Sequence, residues 1–453
     1  MNVTVESLMI LAAIILAARF LKRKNRLLKK YSIPSSLVAG ILGLFLGPQL
    51  LGFIPKEIVA VWAGLPKHLI SIVFAGLFLG RAIPKFKDIW RMAGPQIAFG
   101  NTIAWGQYLV GSLVALLFLI PFFGANPKTA ALIEISFEGG HGTAAGLAPT
   151  FEALGFSEGT DIALALATLS IFCAIISGMI IINLSRAKRQ KKMTPEDWKA
   201  QERASIRGGY NLINIGKKIS NKPQAIVTNI IGFALAIGIG SLILRSLISV
   251  EGLVLGGFTN IRFFPYVPLF PLAMIGGLLL QLALRKINLE EYINRRVAEI
   301  ISALALDILI VSAVSTISLK AINNNLLVFL TLAFFGVAWI LFSFYFFAPR
   351  MFPTFWFEKG LTNIGQSMGT TATGLMLLRQ VDPGNKSKAR ESFAYKQLVF
   401  EPFMGGGIIT ATSMILIHEF GLLPFLIISF LAMIFWIWLG FRLKRIKTSQ
   451  KRK

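Results

Sequence analysis

Apolar runs long enough to cross a bilayer recur along this chain, and short basic blocks separate them. A hydrocarbon core of roughly 30 Å takes about 20 apolar residues in helical form. Of the 453 residues, 55% are hydrophobic and only 15% charged. A soluble fold would need many helices apolar on every face, packed into one oversized core. The chain is therefore read as an all-α polytopic membrane protein. Its net charge of +25 does not point to nucleic acid, because the basic residues lie in blocks between apolar runs, as in cytoplasmic loops that fix membrane orientation. The single cysteine, Cys173, sits in an apolar stretch and reads as a small core residue, with no intramolecular disulfide possible.

The charge pattern gives a topology. The first run, about 8–20, follows a start without a basic region and ends in charge, so it reads as a retained span and not a signal peptide. Basic residues from Arg19 to Lys30 put its end inside and the N-terminus outside. Runs follow at about 34–53, up to Gly80, and at 97–123. Residues 129–154 are different: they hold Glu134, Glu138, His141 and several glycines, and the charges on either side agree only if this segment enters from outside and returns, as a re-entrant hairpin. A run at about 161–184 completes the first half. Residues 186–223 form a basic cytoplasmic loop with a short surface helix expected from Thr194-Pro195-Glu196.

The second half has runs near 224–249, 264–284, 299–320 and 323–348, then a Gly/Thr-rich stretch at 355–378. The basic block Arg379, Lys386, Lys388, Arg390 and Lys396 is expected in the cytoplasm, so this hairpin enters from inside. Runs at about 398–417 and 421–441 and a basic cytoplasmic tail end the chain. Thr143-Ala144-Ala145-Gly146-Leu147 aligns with Thr371-Ala372-Thr373-Gly374-Leu375 at an offset of 228 residues (371 minus 143), and the same offset brings the spans of one half close to those of the other. The chain thus divides into 1–185, the loop 186–223, 224–417 and an additional C-terminal span with its tail at 418–453. Two inverted five-helix repeats, each with a re-entrant hairpin interrupted by glycine, are the sequence pattern of a secondary transporter.

Irregular backbone at membrane depth is tolerated where protein buries it or where it lines a cavity. Carbonyls of such segments and the hydroxyls of Thr143, Thr371 and Thr373 can replace water around sodium, and half-helix N-termini can hold a carboxylate. Close helix packing through Gly and Ala is the plainer explanation of the same residues. Glu138 and Asp307 are candidates for an ion or proton role, since ionisable groups within spans are costly. Asn363, Gln366 and Ser367 could read substrate by hydrogen bonds, and Arg379 is either a carboxylate partner or a member of the cytoplasmic block. Glu401 fits either a site or a surface role. The three histidines are far apart, and no HExxH, G-x-S-x-G or phosphate-loop motif occurs, which argues against a hydrolase or ATP-driven transport.

The stretch Glu138-Gly139-Gly140-His141-Gly142-Thr143 resembles the first hairpin of the bacterial glutamate:sodium symporters. Gly369-Thr370-Thr371-Ala372-Thr373-Gly374 is similar to their second hairpin, and Ile33-Pro34-Ser35-Ser36-Leu37-Val38-Ala39-Gly40 to their second helix. Ala372, where a proline is expected, and Gln366-Ser367-Met368, where glycines are usual, depart from the pattern. The resemblance implies paired re-entrant loops, a homodimer in the bacterial inner membrane, and sodium-coupled uptake of glutamate by an elevator-like movement, with sodium as coupling ion and no other cofactor. Substrate-binding positions are then Gly140, His141, Gly142, Thr143, Gln366, Ser367, Gly369, Thr370, Thr371, Thr373 and Arg379, and coupling-ion positions Glu138, Ser136, Asn363 and Asp307. A proton-coupled or exchange carrier of another carboxylate or amino acid, a channel and a membrane-embedded enzyme are the competing readings.

Overall fold

In a computed structural model, residues 3–30, 33–190, 223–255 and 262–450 are described. Among them the chain is all-helical, without strands, and nine helical stretches are long and apolar enough to cross a membrane. The surface helix expected at Thr194 lies outside the described residues, as do Lys451, Arg452 and Lys453.

The first half contributes α1 (Val3–Lys24), α2 (Ser35–Leu46), α3 (Lys56–Ala63), α4 (Pro66–Ala75), α5 (Phe86–Val114, which runs on through a π turn to Phe123), the hairpin helices α6 (Leu132–Phe137), α7 (Gly140–Gly146) and α8 (Ala148–Ala153), and α9 (Glu158–Gln190). The second contributes α10 (Pro223–Leu255), α11 (Leu269–Lys286), α12 (Arg295–Ser315), α13 (Leu326–Phe346), the hairpin helices α14 (Trp356–Ser367) and α15 (Thr371–Val381), α16 (Ala389–Phe400), α17 (Ile408–Phe420) and α18 (Leu422–Gln450). The first run is thus a 22-residue helix, with Glu6 in its first turn and Lys22, Arg23 and Lys24 in its last, each placed to favour the helix dipole.

The helices pack as two groups. In one, α1 to α4 combine with α10 to α12: α2 lies on α12, α4 on α11 and α12, and α10 on α11. Small residues let these backbones approach. A Cβ on Gly276 would strike the Ala236 carbonyl, and one on Gly240 would lie 2.6 Å from the Ala273 nitrogen. In the other group, α5 carries the hairpins, α13, α16 and α18. Polar side chains on α5, including Gln96, Thr102 and Gln107, are buried, because this helix faces protein and not lipid. Gly106 on α5 receives the Trp339 ring, whose Nε1 donates to the Ile103 carbonyl at 2.9 Å.

Four sequence expectations change in detail. The run expected at 34–53 is helical only to Leu46, where Gly47-Pro48 ends it, and the next run divides at Gly64-Leu65 because Pro66 begins a new helix. The run expected at 398–417 is not one helix: α16 stops at Phe400, and residues 401–407 break it before α17. Pro402 lacks an amide proton, and Gly405 and Gly406 take φ values of +66° and +103° that disfavour any other residue. Lys396, assigned from the charge pattern to the cytoplasmic block, is completely buried between α16, hairpin 2 and α5.

The α10–α11 contact yields a first prediction. Gly276→Leu forces a side chain against the Ala236 carbonyl, and overpacking of this kind costs about 1–3 kcal/mol. The thermal midpoint of the variant in detergent should fall below that of the wild type; an unchanged midpoint would mean that these helices separate freely.

Candidate functional site

Both hairpins break at mid-length, and the breaks meet. Hairpin 1 turns between α6 and α7 at Glu138-Gly139, with Gly140 at φ +67°. Hairpin 2 turns between α14 and α15 at Met368–Thr370. Thr370 caps α15, its hydroxyl oxygen accepting the Thr373 N–H at 3.2 Å. The two arms of hairpin 2 touch backbone to backbone, since a Cβ on Gly365 would lie 2.6 Å from Gly374 Cα.

Glu138 joins the two breaks. One carboxylate oxygen accepts the Ser367 hydroxyl at 2.5 Å, and the other accepts the Gln366 side-chain N–H. The Gln366 carbonyl oxygen in turn accepts from Lys396 Nζ at 2.7 Å. The amide is therefore oriented, its donor end on the carboxylate and its acceptor end on the ammonium. Glu138 and Gln366, which bond to each other, stand 228 residues apart (366 minus 138), the offset of the sequence match between the hairpins.

One helical turn earlier, Glu134 is fully buried and fully engaged. It accepts the Tyr108 hydroxyl of α5 at 2.5 Å, the Gly405 N–H of the α16–α17 break at 3.0 Å and the Thr410 hydroxyl of α17 at 2.8 Å. Those glycines thus have a local function: Gly405 delivers a backbone donor to a buried carboxylate, and a Cβ on Gly406 would strike Thr143 Oγ1.

A cavity of about 240 Å³ lies beside the meeting point. Since water occupies about 30 Å³ in the liquid, this is space for a small organic solute. One wall is polar and comes from the hairpins and α16: Glu138, Gln366, Thr371, Gln397 and Glu401, with the hairpin glycines. The lining from α2, α4 and α12 is apolar, through Leu37, Ile70, Val73, Phe74, Leu306 and Ile310. No lysine or arginine is among the described lining residues. Gln397 Nε2 donates to Thr371 Oγ1 at 3.0 Å and to Glu401 Oε1 at 2.8 Å, tying α16 to hairpin 2. A second cavity of about 460 Å³ borders hairpin 1, lined by Lys67, His68, Pro149 and Tyr266 among others. Ile70 borders both. It packs into α7, its Cδ1 lying 3.4 Å from where a Gly142 Cβ would stand and its Cβ 3.3 Å from that of Gly146.

Of the residues expected to bind substrate, Gly140, His141, Gly142, Thr143, Gln366, Gly369, Thr370 and Thr371 line the first cavity. Ser367 stands behind it on Glu138, and Thr373 is buried under the Thr370 cap. Arg379, two turns beyond Thr371 on α15, is outside the lining. His141 Nε2 lies 2.9 Å from Thr168 Oγ1, whose own proton goes to the Leu164 carbonyl, so the imidazole donates here. Of the coupling-ion candidates, Glu138 lines the cavity, while Ser136 and Asn363 are buried with Ser136 Oγ and Asn363 Oδ1 lacking hydrogen-bond partners. Asp307 is elsewhere: it is partly exposed and pairs with Arg19 at 3.3 Å. Sequence reasoning missed Lys396 and the structural part of Glu134. The signal for Glu134 was available, since it sits one turn before Glu138 on the same helix face.

A family model described as sodium/glutamate symporter matches residues 1–383. The match covers both hairpins and ends before Lys396, Glu401 and the glycine break. Among curated proteins, none matches this chain.

Glu134 supplies the next prediction. Glu134→Ala leaves the Tyr108, Thr410 and Gly405 donors without their acceptor, at about 1–3 kcal/mol for each buried group left unsatisfied. Its thermal midpoint in detergent should drop well below the wild type, with Glu134→Gln, which keeps one acceptor oxygen, in between. Equal midpoints for wild type and Glu134→Ala would exclude the carboxylate as the tie between hairpin 1, α5 and α17.

Proposed function

The chain belongs to the sodium/glutamate symporter family and is a multi-span membrane transporter, not an enzyme; on that premise we propose that it takes up glutamate with sodium by alternating access at the cavity between the two hairpins. The observation that carries this reading is the division of the cavity into a polar wall and an apolar wall. A solute held by hydrogen bonds to the hairpins and α16 can travel with them past α2, α4 and α12, which hold it by no polar bond. An elevator-like movement needs such a smooth wall.

Each part of an amino acid has a suited partner. Glu138 and Glu401 offer carboxylates to an α-ammonium group. The N-terminus of α15, with Thr370 and Thr371, offers N–H and hydroxyl groups to a carboxylate. Asn363 Oδ1 and Ser136 Oγ, buried oxygens without hydrogen-bond partners, suit a sodium ion that replaces water by oxygen ligands. We further read the halves as inverted repeats (1–185 and 224–417) with re-entrant hairpins, the N-terminus outside and the C-terminus in the cytoplasm of a bacterial inner membrane, and a homodimer as the assembly. Reciprocal packing supports the repeat: α2 against α12 mirrors α11 against α4, and α5 against α16 mirrors α13 against α9. The charge blocks support the orientation.

The direct test is uptake of labelled glutamate into proteoliposomes under an inward sodium gradient, with equal potassium as control. Accumulation that needs the sodium gradient is expected. Accumulation that follows a pH gradient instead, or none from folded protein, would remove glutamate:sodium symport. The movement has its own test. Gly146 and Ile70 are close enough to cross-link, given the 3.3 Å between Cβ positions and the roughly 3.8 Å usual in disulfides. In a Cys173→Ser background, oxidised Ile70→Cys/Gly146→Cys should hold α7 on α4 and stop uptake, and reductant should restore it. Unimpeded uptake by the cross-linked protein would overturn the movement of hairpin 1 past α4.

A further inference from the structure

Lys396 is the buried charge that the substrate reading leaves unused. It is completely buried, yet it neither lines the cavity nor forms an ion pair within 4 Å among the described residues. Its placement is nevertheless built. The Gln366 carbonyl oxygen takes one ammonium proton at 2.7 Å. The Phe400 ring stands 3.4 Å from Nζ, a cation held over an aromatic face, and Phe393 lies further out at 5.7 Å. Gly100 on α5 makes the room: a Cβ there would strike Lys396 Cε and lie 3.1 Å from Nζ. Gln366 passes the charge on, since its other end is bonded to Glu138, which does line the cavity. The order is carboxylate, amide, ammonium, reaching from hairpin 1 through hairpin 2 to α16.

We propose that the Lys396 ammonium, acting through Gln366, is a tethered counter-cation for Glu138 that lets the unloaded carrier return across the membrane without a bound cation in its place. The inference rests on the alternating-access reading. A carrier that takes up solute must complete its cycle by returning empty. A lone carboxylate at membrane depth is costly to move, and removing one member of a buried charge pair is far worse than having neither. Glu138, Gln366 and Lys396 all belong to the group of helices proposed to move together, so the opposite charges travel as one. The other acidic group facing the same cavity, Glu401, lies at the end of α16 and is bonded to Gln397; Lys396 acts on it too, but it shares that carboxylate with Arg81 of the α4–α5 connection and Arg295 of α12, neither of which belongs to the hairpin group. Glu134 faces only neutral donors. Glu138 is therefore the carboxylate on which Lys396 alone acts as cation among the described residues, and that cation travels with it.

Exchange of external for internal labelled glutamate uses only the loaded carrier, whereas net uptake also needs the empty return. In proteoliposomes, Lys396→Met should lose net uptake by roughly tenfold or more while exchange changes much less, because only the unloaded form carries the uncompensated charge. Lys396→Met/Glu138→Gln, which buries neither charge, should recover the ratio of net uptake to exchange even where both fluxes are lower. It also carries the test if the single variant does not fold. Net uptake and exchange falling together in folded Lys396→Met, or a double variant whose ratio stays low or whose fluxes are lost where Glu138→Gln alone retains exchange, overturns the proposal. A wild type without exchange removes the transport reading itself, and this inference with it.

Discussion

Two carboxylates one helical turn apart hold together the parts of this protein that a bilayer would otherwise not tolerate. Hairpin backbone that is not regular helix exposes N–H and C=O groups where there is no water to satisfy them. Glu134 lies on α6 and Glu138 caps its C-terminal end, and between them they gather donors from α5, hairpin 2, the α16–α17 break and α17. One freed backbone donor, the Gly405 N–H, is satisfied here, and side chains beside the other breaks are tied to the same pair of carboxylates. This explains why the breaks coincide in space though they are far apart in the chain, and why a cavity forms there: helices that stop short leave room beyond their ends.

On the proposed repeat, the halves would share a plan yet differ at the site, and the differences carry chemistry. At the position in α9 equivalent to Lys396 by the 228-residue offset stands Thr168 (396 minus 228), which bonds to His141 of hairpin 1. In the second half, Lys396 bonds to Gln366 of hairpin 2. Each hairpin is therefore tied to the helix that follows it, one tie neutral and one charged. The continuous α9 also contrasts with the broken α16–α17. The break in the second half supplies Gly405 to Glu134 of the first, so each half completes the polar network of the other.

Much of this was legible from the chain. Long apolar runs fix the all-helical membrane class, and paired Gly/Thr-rich stretches mark the cavity, because few other residue types suit broken backbone at depth. The hairpin residues Gly140 to Thr143 and Gly369 to Thr371 do line it. Other features were hidden for stated reasons. The breaks at Gly64 and at 401–407 fall inside stretches whose hydropathy stays high, and hydropathy averages over a window longer than the break. Asp307 looked isolated because its partner, Arg19, lies 288 residues away on α1.

Lys396 shows most clearly what a count of basic residues does not distinguish, a buried cation from a solvated one. The positive-inside pattern counts lysines and arginines, and Lys396 closes a run of five basic residues, so counting assigns it to the cytoplasm. What separates it from Arg379, Lys386, Lys388 and Arg390 is its set of neighbours: an aromatic residue three positions before and another four after, on one helix face, and a glycine on α5 in front of its stem. Phe393 and Phe400 are visible in the sequence; Gly100 and Gln366 become neighbours only in the fold. A basic residue near a span, flanked by aromatics at helical spacing, therefore has two meanings, an interfacial anchor or a buried cation. An acceptor from another segment decides between them, and here that acceptor belongs to the hairpin that meets Glu138.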